Sequence, residues 1–160
     1  MDDISELIGL PLHPLLVHAV VVLVPLTALL LMLGQWWPAA RRRLGILTFL
    51  AALAVAVLAP VTMQAGADLL ARVGPVPGTA QHEQFGRAVP IWTTALFVVA
   101  AAQWTWFRVG VPALGERHGI RVTGTVVLGV AVAVAGVGSV VAVVLAGDSG
   151  ARAVWGGLLG

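Results

Sequence analysis

The sequence predicts an all-α membrane protein, a four-transmembrane-helix up-down bundle that forms one domain over residues 1–160. The chain is 59% hydrophobic and only 10% charged, whereas a soluble domain carries roughly 25% charged residues. Four stretches of 34, 24, 20 and 26 residues contain no Asp, Glu, Lys or Arg, and about 20 apolar residues suffice for a helix to cross the bilayer. These stretches also lack the apolar/polar alternation of barrel strands. We therefore expect helices and a polytopic topology.

The charged residues at the ends of these stretches set the predicted helix bounds, and short connections between the helices favour the up-down order. The first stretch follows the acidic segment MDDISE, whereas a cleaved secretory signal begins with basic residues. We therefore interpret it as a retained helix. The four predicted transmembrane helices cover about 14–35, 45–67, 88–108 and 122–146.

Arginine indicates the orientation of the chain. The segments PAARRRLG and FRVGVPALGERHGIR, which lie between helices one and two and between helices three and four, carry six of the nine basic residues. The positive-inside rule places both segments in the cytoplasm. The prediction is a multi-pass protein of the cell (inner or plasma) membrane, with both termini and the 68–87 loop outside the cytoplasm. The isoelectric point is high because nine basic residues outnumber seven acidic ones. Most of the basic residues lie in short loops between apolar segments, so no nucleic-acid partner is expected.

The segment PLHPLLVHAVVVLVPL brings two imidazoles to the start of the first helix. Pro14 suits the first helical position. His13 and His18 are five residues apart, which corresponds to about 140° around a regular helix, so they cannot both face one site. We expect His18 to face the bundle interior and His13 to lie in the headgroup zone.

The predicted topology brings further polar residues to the same outer side. His82 falls in the 68–87 loop, on an extra helical turn that starts near Thr79. Asp68 follows helix two, and Asp148 follows helix four. His118 lies at the opposite face and is interpreted as a solvated loop residue. Three of the four histidines therefore converge at one membrane face.

Neutral imidazole is a good ligand for haem iron, copper and zinc. We predict that His18 and His82 are the axial ligands of a b-type haem, with His13 as a substitute, or that all three histidines bind a metal ion. Asp68 or Asp148 would accept the second imidazole N–H and fix its tautomer. The chain has no cysteine, which excludes thiolate sites and c-type haem attachment. We find no nucleophile with a recognisable base, so an enzyme is less expected than an electron-transfer or accessory protein.

The opening segment LPLHPLLVHAVVVLVPL resembles the N-terminal signature of an uncharacterised bacterial membrane family, domain of unknown function 2231. His13, Pro14, Val17 and His18 match its H-P-x-x-V-H motif. The segment AGADLL and the histidine near helix three, here His82, are similar to further stretches of the family. Members often close with a G-H-x-G-G-type segment followed by Val-Trp or Val-Tyr. In the corresponding segment GDSGARAVW, Asp148 replaces the histidine, which puts a ligand at the end of helix four in doubt.

The resemblance implies four helices and a redox setting, because similar relatives occur joined to or beside Rieske and cytochrome-type modules. It thereby implies respiratory or other redox membrane proteins as partners and the histidines as haem ligands. Two functions remain open: a membrane redox protein that binds haem b or a metal at its outer face, and a cofactor-free accessory or structural subunit of a larger complex. A transporter is less favoured because no charged residue occupies the centre of a predicted span. No internal repeat is evident in the sequence.

Overall fold

The computed structural model describes residues 6–7, 10–74 and 77–156. Its elements, in chain order, are β1 (Glu6–Leu7), β2 (Leu10–Pro11), α1 (Leu12–Trp36), α2 (Pro38–Val73), α3 (Thr79–Gly86), α4 (Ala88–Thr105), a π-helical segment (Trp106–Gly110), α5 (Val111–Ala113) and α6 (His118–Trp155). The two short strands pair in antiparallel register directly before α1. Four long helical stretches are apolar enough to cross a membrane: Leu12–Trp36, Pro38–Val73, Thr79–Ala113 and His118–Trp155.

The all-α four-helix fold predicted from the sequence is confirmed. The helices α1 and α4 occupy opposite corners, and each packs extensively against both α2 and α6, while contact across the α1–α4 diagonal is slight. Successive long helices run in opposite directions, as expected of an up-down bundle. The buried core contains residues from all four long helices, among them Val24, Val55, Leu96 and Val132.

The helices extend beyond the apolar stretches that set the predicted bounds. The helix α2 begins at Pro38, so the three arginines at 41–43 lie in its first turns. At a rise of 1.5 Å per residue, its 36 residues extend about 54 Å, against a hydrocarbon core of roughly 30 Å. Charged residues mark where the apolar stretch ends, but backbone hydrogen bonding continues through the interfacial layer, where the aliphatic part of arginine remains compatible with a helix.

The lateral surface of the bundle is apolar, and the interior contains many small side chains beside its valines and leucines. Val22, Ile91 and Val127 are 62%, 70% and 63% exposed, whereas Ala52 and Ser139 are fully buried. This distribution is expected of helices in lipid, because large apolar residues remain favourable at the outer surface and small residues allow close backbone approach inside. The exposed apolar surface therefore fits a bilayer-embedded protein.

The two ends of the bundle differ in chemistry. One end carries the start of α2 and the segment 106–117, with most of the arginines. At the other end, α2 stops at Gly74 and α3 starts after Gly78, both with positive φ values of 78° and 90°. A β-carbon at Gly78 would lie 3.3 Å from the backbone of Ala153. Glycine thus permits both the reversal and the close approach that place α3 against α6.

Candidate functional site

The first half of the site is His13, the second residue of α1. Its imidazole is half-buried and points toward α2. The ring Nδ1 lies 2.9 Å from the backbone oxygen of Thr62, forming a hydrogen bond between the two helices. The sequence places this histidine in the headgroup zone, which stays a prediction, and the structure adds that the ring lies between the start of α1 and Thr62 of α2.

The side chain of His18 faces away from the bundle. It is exposed, and its Nδ1 bonds to Pro14 O of its own helix at 2.6 Å. The expectation that His18 faces the interior is thus wrong. The reason is helical register: His13 precedes the buried Val20 by seven residues, about 20° from two full turns, whereas His18 precedes it by two residues and lies about 200° away. His13 therefore shares the core-facing side of α1.

His82 supplies the second half of the site. It lies on α3, whose helical structure confirms the extra turns predicted before the third span, with Thr79 as the first helical residue. The half-buried ring reaches α6, where Nδ1 lies 2.9 Å from Ala146 O and 3.3 Å from the hydroxyl oxygen of Ser149. The Ser149 hydroxyl itself donates to Ala146 O at 3.0 Å. The ring is thus fixed to the end of α6.

Each imidazole also contacts a glycine. This glycine lies one helical turn, four residues, after the residue whose carbonyl accepts the imidazole N–H. A β-carbon on Gly66 would lie 2.8 Å from Cε1 of His13. A β-carbon on Gly150 would lie 3.0 Å from Cε1 of His82. Any larger residue at either position would displace the ring. The two glycines therefore leave the space in which each ring can reach its carbonyl partner.

The two rings meet at the end of the bundle. The ring centres of His13 and His82 are 6.2 Å apart and the planes are inclined by 72°. A carbonyl oxygen can only accept a hydrogen bond, so each Nδ1 carries the proton and each Nε2 of the neutral ring has a free lone pair. Within the part of the chain that the structure describes, neither Nε2 makes a hydrogen bond. When the two rings are neutral they therefore share one tautomer, in which Nε2 is the nitrogen available as a ligand.

The carboxylates predicted to orient the histidines are engaged elsewhere. Asp68 accepts a hydrogen bond from Gln64 at 3.0 Å. Asp148 pairs with Arg152 one turn along α6, at 2.7 Å. Both carboxylates are exposed on the helix surface, because they lie off the side of α2 and α6 that contacts the imidazoles. In their place, backbone carbonyls accept the imidazole N–H groups, a role that carbonyls also take at metal sites.

The described residues contain no group of three or more His, Cys, Asp or Glu side chains placed to hold a metal ion. The predicted three-histidine metal site is consequently not formed, since His18 faces outward while His13 and His82 face each other. His118 begins α6 at the opposite end of the bundle and is exposed, in agreement with its interpretation as a solvated residue, although it lies on a helix. The site that the structure does form is therefore a pair of histidines, His13 and His82.

A second buried polar cluster, not identified from the sequence, lies toward the arginine-rich end. The Gln103 amide donates to Gln35 Oε1 at 2.9 Å and to Leu31 O at 3.1 Å, and the Gln35 amide donates to Thr125 O at 2.8 Å. Arg41 adds hydrogen bonds to the last turn of α1. The signal was a repeated Gln-Trp pair at the ends of helices one and three. The cluster joins α1, α2, α4 and α6. Its side-chain amides donate hydrogen bonds to other groups of the protein, so we interpret the cluster as structural.

Comparison with known proteins identifies a matching family. The model of a family described as "Predicted membrane protein (DUF2231)" matches residues 9–160. No curated protein matches the chain, and no solved structure does. The match covers nearly the whole chain, including both histidines of the pair and all four long helices.

Proposed function

Since this chain belongs to the DUF2231 family of membrane proteins, we propose that it is a small integral membrane redox protein that binds a b-type haem between His13 and His82. Membership establishes a membrane protein of uncharacterised activity, and the haem rests on the site itself. The observation that carries the proposal is the pair of imidazoles whose Nδ1–H groups are held by Thr62 O and Ala146 O, while neither Nε2 atom has a hydrogen-bond partner among the described residues. Histidines that ligate metals almost always have their second nitrogen held in this way.

The number of ligands favours haem iron over a bare metal ion. A structural zinc site takes four protein ligands, and the described residues bring only two together. Haem supplies four of its own nitrogens, so His13 and His82 would supply the two protein ligands that its iron still needs. The absence of cysteine leaves non-covalent haem b as the form that this chain can hold.

The spacing of the two rings is also compatible with one metal atom between them. Metal–imidazole bonds measure about 2.0–2.1 Å for zinc. For two Nε2 atoms pointing at one metal, two such bonds and the distance from each nitrogen to its ring centre would add up to a length similar to the observed 6.2 Å. Bound haem iron supplies one-electron exchange between its ferric and ferrous states.

The protein's own groups hold, orient and shield such a centre. The carbonyls of Thr62 and Ala146 fix the tautomer and the direction of each ring. Val20 and Val89 lie seven residues beyond the two histidines and are 6% and 7% exposed. The apolar core therefore begins two turns below the pair, and an apolar surrounding controls water access and redox potential at a metal site.

Arginine distribution supports an orientation with the histidine end outside the cytoplasm. The arginine-rich end carries residues 41–43, 108, 117 and 121, whereas the histidine end carries three arginines, of which Arg87 and Arg152 pair with acidic residues on their own helices. By the positive-inside rule the arginine-rich end lies in the cytoplasm. Electrons would then be exchanged at the extracytoplasmic face, with a redox membrane protein as the partner.

The first test is the absorption spectrum of the protein purified in detergent, oxidised and then reduced, with iron and other metals quantified. We expect a Soret band, reduced-state α and β bands, and about one iron per chain. Stoichiometric copper or zinc without a Soret band would replace haem by a metal ion. Protein without colour or metal, including after addition of haem, would reject the redox function and favour the accessory-subunit function.

The orientation is tested by cysteine labelling, because the chain has no cysteine of its own. Gln84→Cys and His118→Cys each place one thiol at an exposed position at opposite ends of the bundle. We expect a membrane-impermeant maleimide to label Gln84→Cys in intact spheroplasts and His118→Cys only after permeabilisation. The reverse pattern would place the histidine pair on the cytoplasmic side.

A further inference from the structure

We infer that the chain is built from two equivalent two-helix units, and that each unit supplies one half of the haem site. The first unit is the α1–α2 pair, and the second is the α3/α4–α6 group. This inference rests on the proposed function for the identity of the ligand, but the two-unit architecture is independent of it. The equivalence follows from the register of the histidines, their carbonyl partners and the buried faces.

The histidine-bearing helices correspond after a shift of 69 residues, the separation between His13 and His82. That shift also relates buried positions of α1 to buried positions of α4. The related pairs are Val20 and Val89, Val24 and Thr93, Thr27 and Leu96, Leu31 and Ala100, and Gly34 and Gln103. The buried faces of any two helices can be aligned by some shift. Here the shift is not chosen to align them, because it is set by the separation of His13 and His82.

The partner helices correspond after a shift of 84 residues, the separation between Thr62 and Ala146, whose carbonyls accept the imidazole N–H groups. Gly66 and Gly150, which contact the two rings, are related by the same shift. So are buried residues along the length of α2 and α6. They are Thr48 and Val132, Ala52 and Gly136, Val55 and Ser139, and Ala59 and Val143.

The packing of the helices has the same two-fold pattern. Extensive contacts join α1 to α2 and α4 to α6 within the units, and α1 to α6 and α2 to α4 between them. The corresponding helices α1 and α4 are parallel, which is the arrangement of repeats related by an axis along the membrane normal. His13 and His82, which the 69-residue shift relates, meet at one end of these two helices. The sequence did not reveal this repeat, because the aligned buried residues differ in type.

A functional consequence follows from this symmetry. A ligand bound between His13 and His82 is held by two half-sites, His13–Thr62–Gly66 and His82–Ala146–Gly150, that belong to different units. The two imidazoles should therefore be equivalent axial ligands, and Gly66 and Gly150 should be equivalent positioning residues. Loss of either glycine should displace one ring without unfolding the bundle, since the ring can move.

The test compares Gly66→Ala and Gly150→Ala with Gly147→Ala, a matched control on α6 where a β-carbon meets nothing within 4 Å. In the haem-free protein, nitrogen NMR of labelled histidines should show the Nδ1-protonated tautomer for both His13 and His82. Gly66→Ala should shift the His13 signals alone, Gly150→Ala the His82 signals alone, and Gly147→Ala neither. Added haem should bind each of the first two variants about 10–100-fold more weakly.

The two readouts separate the inference from the proposed function. If the NMR shifts follow the expected pattern but haem does not bind the wild-type protein, the two half-sites stand and the haem fails. If haem binds the wild type and only one of the two glycine variants weakens it, the equivalence of the half-sites is overturned. The inference is also overturned if the two histidines of the haem-free protein have different tautomers.

Discussion

His13→Ala and His82→Ala are each expected to abolish the low-spin haem spectrum of the purified protein. Each substitution removes one of the two proposed haem ligands, and within the described residues no further histidine lies beside the pair to replace it. The remaining ligand would leave five-coordinate, high-spin iron or lose haem altogether. The measurement is the oxidised and reduced absorption spectrum with haem quantified per chain.

His18→Ala is the decisive control for this prediction. His18 was the ligand preferred from the sequence, yet its exposed ring bonds only to its own helix. We expect His18→Ala to retain the wild-type spectrum and haem content. A spectrum lost in His18→Ala and kept in His13→Ala would contradict the assignment of the ligands and restore the pair predicted from the sequence.

Gly138→Ala is expected to give the largest loss of stability among single-methyl additions at half-buried helix contacts, since Gly138 and Trp92 are both half-buried. A β-carbon at this position would overlap the ring of Trp92, at the contact between α6 and α4. Ser139, the next residue, donates a hydrogen bond to Trp92 O at 3.0 Å and holds the two backbones together. Overpacking of a well-packed interior costs about 1–3 kcal/mol, which should appear as a lower free energy of unfolding in detergent.

Two further variants test the physical cause of that loss. Gly147→Ala adds the same methyl group to α6 without any neighbour within 4 Å, so its stability should match the wild type. In Gly138→Ala combined with Trp92→Leu, the smaller side chain should remove the overlap, and the added methyl group should cost less than it does beside Trp92. An equal loss in Gly138→Ala and Gly147→Ala would show that helix propensity or detergent contact, rather than the Trp92 ring, sets the cost.

Much of the histidine site could be predicted from the sequence because topology follows from the count of spans. With four crossings, His13 and His82 necessarily reach the same side of the membrane as the end of helix two. The chemistry of the site was also available, since imidazoles are scarce in the chain and cysteine is absent. The expectation that His18 faces the bundle interior was wrong, because the residues around it are apolar on every side of α1 and do not show which side is buried.

The expectation that Asp68 or Asp148 accepts an imidazole N–H differs from the structure for a related reason. Asp68 and Asp148 lie at the correct end, but charged groups near the interface find water and arginine on the helix surface. The groups that do accept the imidazole N–H bonds are main-chain carbonyls at Thr62 and Ala146. Every residue has a carbonyl, so the residue types at these two positions do not indicate their role. The sequence feature associated with each carbonyl is the glycine four residues later, which contacts the ring.

The amino-acid sequence by itself determined that the chain spans the membrane four times, in which order, and which end carries the histidines. Those properties depend on the transfer of apolar side chains into lipid and on the length of a helix, and both can be read from local composition. Only the tertiary structure decided which face of each helix is interior and which two histidines meet. In lipid the outer and inner faces are equally apolar, so hydrophobicity does not distinguish them, and close packing around small residues makes the choice.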